Sequence, residues 1–159
     1  MAEDVLQYPQ ILQRRTWFGI TATVNLKSKF MHKAGFRNLL VPHPAAVNWL
    51  LRQGLKMETA ISLSIHHEFG HLQTVPLALL YAGILLWVSI GEGTMSWLKI
   101  LFLAVSTQAA WEIMSEFFTV FSDIEGYRAC YDGVGKLPRI IFWLSSCLLA
   151  FAGALMSVY

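Results

Sequence analysis

The sequence predicts an all-α membrane protein, a bundle of about four transmembrane helices with an N-terminal interfacial or cytoplasmic helical segment. Hydrophobic residues make up 55% of the 159 residues and charged residues only 14%, against about 25% charged in an ordinary soluble domain. Long apolar stretches fill the chain after residue 56, and basic residues gather before them. The length suits one domain, so we interpret residues 1–159 as a single integral-membrane domain.

Residues 1–55 form a basic amphipathic segment without an uninterrupted apolar stretch long enough to span a bilayer. Segments that are basic and aromatic tend to lie in the membrane interface. We expect short surface helices here, one ending near Gly35 and one over about residues 45–54. A folded cytoplasmic cap packed on the bundle is an equal alternative.

The charge distribution predicts orientation and partners. Up to Lys56 the chain carries eight basic and two acidic residues, which favours a cytoplasmic N-terminus and contact with anionic headgroups of the lipid bilayer. From the apolar composition and the small size of the chain, we expect a multi-pass protein of the plasma (inner) membrane. The apolar remainder argues against nucleic acid as a partner. Residues 1–15 lack the apolar core of a cleavable signal peptide.

Residues 56–158 are expected to form the transmembrane bundle. One helix over 56–91 would run about 54 Å, far beyond the roughly 30 Å hydrocarbon core, so we expect a break near Pro76. Four spans follow from this, with alternating directions and an external loop at 122–137. They are 56–74, 76–91, 95–121 and 138–158.

The first span contains a zinc signature. Residues 66–71 read His-His-Glu-Phe-Gly-His, which includes H-E-x-x-H at 67–71. On a helix His67 and His71 share one face, so both imidazoles can reach one metal. Glu68 is close enough to hold a proton near an activated water but badly placed as a third ligand. This arrangement is typical of a metal-dependent hydrolase, and ionisable residues at membrane depth are functional by default.

A third ligand is expected from the polar stripe of the third span, where Glu112 and Glu116 share a face. Phe69, the centre of the histidine motif, lies 13 residues after Lys56, and Glu112 lies 13 residues after Lys99. If both helices run outward from the same interface, the two sites lie at the same depth, roughly 20 Å along each helix. The histidines and the glutamates would then meet.

H-E-x-x-H followed tens of residues later by a helical Glu, with an acidic residue four positions on, resembles the gluzincin pattern of zinc metallopeptidases. The resemblance implies that Glu112 is the third Zn²⁺ ligand and that Glu116 orients a ligating imidazole. The commoner pattern has Asp where this chain has Glu116. The resemblance covers these two short motifs only.

Site-2-type intramembrane proteases also carry H-E-x-x-H in a membrane helix, with a third ligand from an Asp-Gly motif that opens a later helix. Asp132-Gly133 resembles that motif, although its surroundings differ and an ordinary turn explains it. Glu112, Glu116 and Asp132 are therefore the three candidates for the third ligand. His66 points about 100° away from His67, so its role would be to support the site or to bind substrate.

The function that these resemblances imply is zinc-dependent hydrolysis of peptide bonds in or near the bilayer, in a peptide or membrane-protein substrate. Zinc would activate a water, and Glu68 would be the catalytic base. A metal-dependent lipid amide or ester hydrolase is an alternative, because the motif specifies activated water and not the acyl group. A di-iron carboxylate oxidase would normally need two Glu-x-x-His motifs, and the sequence has one. A metal-binding or scaffold membrane protein without enzyme activity is the third alternative.

Overall fold

A computed structural model describes residues 11–25, 39–40, 44–122 and 127–159. Most of these residues are helical, which confirms the predicted all-α character of the main body. The helices are α1 (Pro44–Arg52), α2 (Met57–Gly91), α3 (Trp97–Ser122), α4 (Tyr127–Asp132) and α5 (Lys136–Val158). Three short strands precede them: β1 (Ile11–Arg15), β2 (Thr21–Asn25) and β3 (Leu39–Leu40).

The break predicted near Pro76 is wrong, because α2 runs unbroken for 35 residues, or about 52 Å. A proline inside a helix removes one main-chain donor and strains the preceding turn. Side-chain donors reach three carbonyls near that turn: Thr74 Oγ1 on Gly70 O at 2.8 Å, Trp111 Nε1 on His71 O at 3.0 Å and Trp17 Nε1 on Gln73 O at 2.8 Å. The carbonyl that loses its helical donor at Pro76 is that of Leu72, so these contacts hold the neighbouring residues of α2 and do not replace the missing bond.

The bundle consequently has three long helices where four spans were predicted. Two of them, Met57–Gly91 and Lys136–Val158, are long and apolar enough to cross a membrane. Most of the residues in the apolar window of each of these two helices are not buried inside the protein.

Helices α2 and α3 pack antiparallel. Ser115 Oγ donates to the main-chain carbonyl of His67 at 2.8 Å, whereas Tyr81, later in α2, bonds Ser106, earlier in α3, at 2.7 Å. Between these two levels Gly70 lies against the backbone of α3, and a Cβ atom built on it would stand 2.7 Å from Ser115 O. The backbones of the two helices are therefore in close contact at the turn that carries the H-E-x-x-H motif.

Helix α5 returns along α3 and leaves α2 and α5 parallel to each other. Ser106 Oγ donates to Ala150 O at 2.7 Å, and Lys99 Nζ donates to Val158 O at 2.8 Å. Gly153 permits the close approach, since a Cβ there would lie 3.0 Å from Phe102 O. Lys99 thus neutralises carbonyl charge at the C-terminal end of α5.

The N-terminal segment differs from the expected surface helices. Helix α1 confirms the helix predicted over about 45–54, whereas β1 and β2 form an antiparallel hairpin and β3 pairs parallel with β2. Gly19 makes the hairpin turn possible, because its φ of +96° is disfavoured for other residues. Gly35, where another helix was expected to end, lies outside the described residues.

The hairpin is attached to α2 next to the histidine motif. Trp17 donates its main-chain N–H to Gln73 Oε1 at 3.0 Å and its indole N–H to Gln73 O at 2.8 Å. The Arg14 guanidinium lies 5.6 Å from the centre of the Phe69 ring. A small apolar cluster that includes Leu50, Leu63 and Val134 closes the same end of the bundle.

The opposite end of the bundle is apolar on its outside. Large hydrophobic side chains are exposed on the second half of α2, the first half of α3 and the second half of α5, among them Leu79, Leu80, Trp87, Trp97, Ile100, Leu148, Phe151 and Met156. We refer to this part as the apolar end. The part that carries the histidine motif, α1 and α4 is the site end.

Candidate metal centre

The two histidines of the motif face one carboxylate of α3. His67 and His71 lie one turn apart on α2, with ring centres 4.7 Å apart. His67 Nε2 lies 3.0 Å and His71 Nε2 3.1 Å from the same atom, Glu112 Oε2. One ligand atom from each of the three residues lies within 4.8 Å of the others, so the group could hold a metal ion.

Glu116 contacts the other side of His67. Its Oε2 lies 2.7 Å from His67 Nδ1, and because an ionised carboxylate only accepts hydrogen bonds, Nδ1 must carry the proton. Glu116 therefore fixes the ring orientation and leaves the Nε2 lone pair directed at Glu112. This is the relation that the gluzincin resemblance implied for the two glutamates.

The donor set fits a metal cation. In the neutral imidazole, the Nε2 lone pair of His67 and the Oε2 lone pairs of Glu112 face each other at 3.0 Å, which is unfavourable unless positive charge lies between them or on the ring. A metal cation held by the two imidazole nitrogens and the Glu112 carboxylate would supply that positive charge.

Tyr127 extends the network beyond Glu116. The Tyr127 side chain is buried, and its hydroxyl donates towards both Glu116 oxygens, at 2.9 and 3.0 Å. The contact ties α4 to the imidazole of His67. Sequence reasoning did not find this role, because nothing in the spacing places the loop tyrosine against α3.

Two further residues support the group. Gln108 Nε2 donates to Glu112 Oε1 at 2.8 Å, an i,i+4 contact that helical spacing alone makes available. Trp111 packs its ring edge-on against His71, with centres 4.9 Å apart, and donates its indole N–H to His71 O. Among the described residues, His71 Nδ1 is buried without a hydrogen-bond partner, so ring packing orients this imidazole.

The remaining candidates lie apart from the metal group. His66 is buried, its Nδ1 lies 2.6 Å from Ser62 O, and its ring is 6.0 Å from that of Tyr127. Asp132 is exposed and pairs with Arg139 at 2.8 Å. The geometry thus assembles Glu112 with the histidines, places Glu116 on the far nitrogen of His67, and leaves Asp132 at the surface.

A cavity of about 210 Å³ opens beside His67, with Glu68 and Glu116 also in its wall. Glu68 is buried, with 8% of its surface exposed. Residues of α1, α4 and α5 close the cavity, and most of them are apolar. Of the metal group, His67 is the member that lines this cavity, and Glu68 lines it as well.

No protein-family model, curated protein sequence or solved structure matches the chain. The fold and the site define a helical protein with two helices capable of crossing a membrane and a group of side chains capable of holding a metal ion.

Proposed function

We propose that the protein is an integral-membrane, zinc-dependent metallopeptidase that hydrolyses peptide bonds in or near the bilayer. The observation that supports this most strongly is the meeting of His67 Nε2, His71 Nε2 and Glu112 Oε2 at 3.0 and 3.1 Å. Two imidazoles and one carboxylate are a ligand set of catalytic zinc sites, which leave one position open.

The side chains around this group suit hydrolysis. Bound zinc supplies a Lewis acid that acidifies water and polarises a carbonyl. Glu68, in the wall of the adjoining cavity, takes the proton of the attacking water and passes it to the leaving amine nitrogen. Glu116 holds the imidazole of His67 while charge develops, because it accepts the Nδ1 proton at 2.7 Å.

The test compares the parent protein with Glu68→Gln on a mixture of quenched fluorescent peptides in detergent. Because the amide cannot accept the proton of water, cleavage should fall by about 10²- to 10⁴-fold. Elemental analysis should still find one zinc per chain, since Glu68 is not one of the three ligands. The matched control is His71→Ala, which should lose both zinc and activity.

Three results would contradict the proposal. A Glu68→Gln variant that cleaves as fast as the parent would show that Glu68 is not the base that takes the proton of the attacking water. Two irons per chain would indicate an oxidase, and the absence of metal after purification without chelators would indicate a scaffold. Activity confined to lipid esters or amides would show that the substrate is a lipid and not a peptide, although the attacking group would still be an activated water.

A further inference from the structure

The most exposed member of the metal group is Glu112. Its side chain is 29% exposed and that of His67 22%, whereas the side chains of His71 and Glu116 are 9% and 6% exposed. Glu112 Oε2 faces both imidazoles, at 3.0 Å from His67 Nε2 and 3.1 Å from His71 Nε2. The second carboxylate oxygen, Oε1, could turn to the same metal ion. The contacts of Oε1 therefore determine how many coordination positions the carboxylate would occupy.

Gln108 bonds this second oxygen. Its Nε2 lies 2.8 Å from Glu112 Oε1, and because an ionised carboxylate only accepts hydrogen bonds, the amide nitrogen must face it. The two residues are four apart on α3, so the helix itself supports the contact. An oxygen that accepts this bond donates less electron density to a metal, and turning it to the metal would break the bond. The contact therefore favours a carboxylate that binds through Oε2 alone.

The surroundings of Gln108 distinguish this contact from an ordinary surface pair. Gln108 is exposed, and Leu101, Ala104 and Val105, which precede it by seven, four and three positions on the same face of α3, are exposed and apolar. In a bilayer, an amide on such a face has no water to bond. Its bond to an ionised carboxylate is then stronger than the same pair would make in water, and this holds Gln108 against Glu112.

We infer that Gln108 is a positioning residue that holds Glu112 as a one-oxygen ligand and so keeps a coordination position of the metal open for water. The inference rests on the proposed function and adds the residue that determines how Glu112 binds. A catalytic zinc site needs such an open position. Without Gln108, both oxygens of Glu112 would bind the metal, and the attacking water would compete with the second oxygen for its place.

The test replaces zinc with cobalt(II) in the detergent-purified protein, because the visible spectrum of cobalt reports the number of its ligands. Four-coordinate cobalt absorbs more strongly, and at longer wavelength, than five-coordinate cobalt. Gln108→Leu should still bind one cobalt per chain, but its visible band should lose intensity and shift to shorter wavelength. Leucine suits the apolar face and forms helix as readily as glutamine, so the variant should fold.

Two further variants separate the hydrogen bond from polarity and packing. Gln108→Asn keeps the amide but is one methylene shorter, so the amide would fall short of Glu112 Oε1 and the cobalt spectrum should match that of Gln108→Leu. Thr107→Val is the control, because the neighbouring Thr107 hydroxyl makes no hydrogen bond among the described residues, and it should keep the parent's spectrum. Peptide hydrolysis by the zinc forms should fall by about 10- to 100-fold in both Gln108 variants, the range for a lost partner of a metal ligand.

The spectra and the hydrolysis assay separate this inference from the proposed function. An unchanged cobalt spectrum in Gln108→Leu, or an equal change in Thr107→Val, would overturn the role of Gln108 and leave the metallopeptidase proposal intact. Loss of cobalt from Gln108→Leu would also overturn it, because Gln108 would then be needed for binding itself. A parent that shows the expected spectra but cleaves no peptide would support the role of Gln108 and contradict the proposed reaction, and a parent that binds no cobalt would contradict both.

Discussion

At the scale of residues, the two glutamates of α3 contact opposite nitrogens of one imidazole. Glu112 and Glu116 are four apart and share a helix face, and His67 lies between them, with Nε2 on Glu112 and Nδ1 on Glu116. Because the second carboxylate determines which nitrogen carries the proton, it determines which lone pair is available to a metal. Glu116 is 4% exposed, and its carboxylate accepts hydrogen bonds from His67 Nδ1 and from the hydroxyl of Tyr127.

Tyr127→Phe tests the second of these hydrogen bonds. The substitution removes one hydroxyl from the Glu116 carboxylate, and the less firmly held carboxylate should orient His67 less well. We expect zinc affinity to fall by about 10- to 100-fold, the effect of losing a partner that orients a metal ligand. Competition with a chromogenic chelator measures this directly.

Tyr131→Phe is the control for that measurement. Its ring stacks on Tyr127, but its hydroxyl accepts a hydrogen bond from Trp143 at 3.0 Å. Zinc affinity should therefore stay near the parent value. Equal losses in the two variants would show that α4 acts through packing and not through the hydroxyl on Glu116.

At the scale of elements, α2 and α3 make a close backbone contact at Gly70, between the two histidines. A Cβ on Gly70 would collide with Thr119 Oγ1 and lie 2.7 Å from both Ser115 O and Ser115 Oγ. One of these neighbours is backbone and cannot move alone. The glycine of the H-E-x-x-H motif is therefore a packing requirement of this bundle, independent of any chemistry.

Gly70→Ala should lower stability by about 1–3 kcal/mol, the usual cost of overpacking a tight contact. Gly83→Ala is the matched control on the same helix, because nothing lies within 4 Å of a Cβ there and alanine favours helix by up to about 1 kcal/mol. Circular dichroism during heating in detergent measures both. A Gly70→Ala protein as stable as Gly83→Ala would show that the helices separate easily.

The pairs His67 and His71, and Glu112 and Glu116, were predictable from the sequence. Residues four apart share one face of a helix, whatever the position of that helix in the fold. The pairing of α2 with α3 was expected for a reason that proved wrong. Counting 13 residues from Lys56 and from Lys99 assumed two helices that run in the same direction, whereas α3 runs opposite to α2. Near Pro76, α2 is contacted by Trp17 and Trp111 from distant parts of the chain, and local sequence could not show these contacts.

The sequence analysis predicts no strand in 11–25, because the basic and aromatic residues of 1–55 indicate an amphipathic interfacial segment with short surface helices. The sequence Thr21–Asn25 contains β-branched residues that favour strands, and Gly19 precedes them. These signals were present but short. The pairing of β3 with β2 joins residues more than a dozen positions apart, which local patterns do not reveal.

At the scale of the whole molecule, exposed large hydrophobic side chains cover the apolar end and continue towards the site end at Phe117, Phe121, Ile140 and Leu144. Helix α5 has 23 residues, about 34 Å, which matches a hydrocarbon core of about 30 Å. Phe142, beside His67, lies 16 residues before Val158, or about 24 Å. If the hydrocarbon core of the membrane begins at the C-terminal end of α5, the metal group lies within several Å of the other surface of that hydrocarbon core. This is the side on which α1 and α4 lie.

Cys147 offers a test of this placement, since it is exposed on α5 and lies 11 residues before Val158, about 16 Å, near the middle of such a core. In a Cys130→Ser background, a membrane-impermeant maleimide should label Cys147 poorly in intact membranes and readily after detergent denaturation. The positive control carries Cys147→Ser and Lys136→Cys in the same Cys130→Ser background. It should be labelled readily from the side of the membrane on which the start of α5 lies. Ready labelling of Cys147 in intact membranes would contradict the placement.

The unbroken course of α2 has a mechanical consequence. One continuous helix carries exposed apolar residues in its second half and both histidines in its first. The distance between the apolar surface of α2 and the metal group is therefore fixed by the length of the helix. If the apolar end is anchored in lipid, the height of the metal group above the membrane midplane is constant. Under the proposed function, substrates would then be selected by where a peptide bond lies relative to the membrane surface as well as by the residues that flank it.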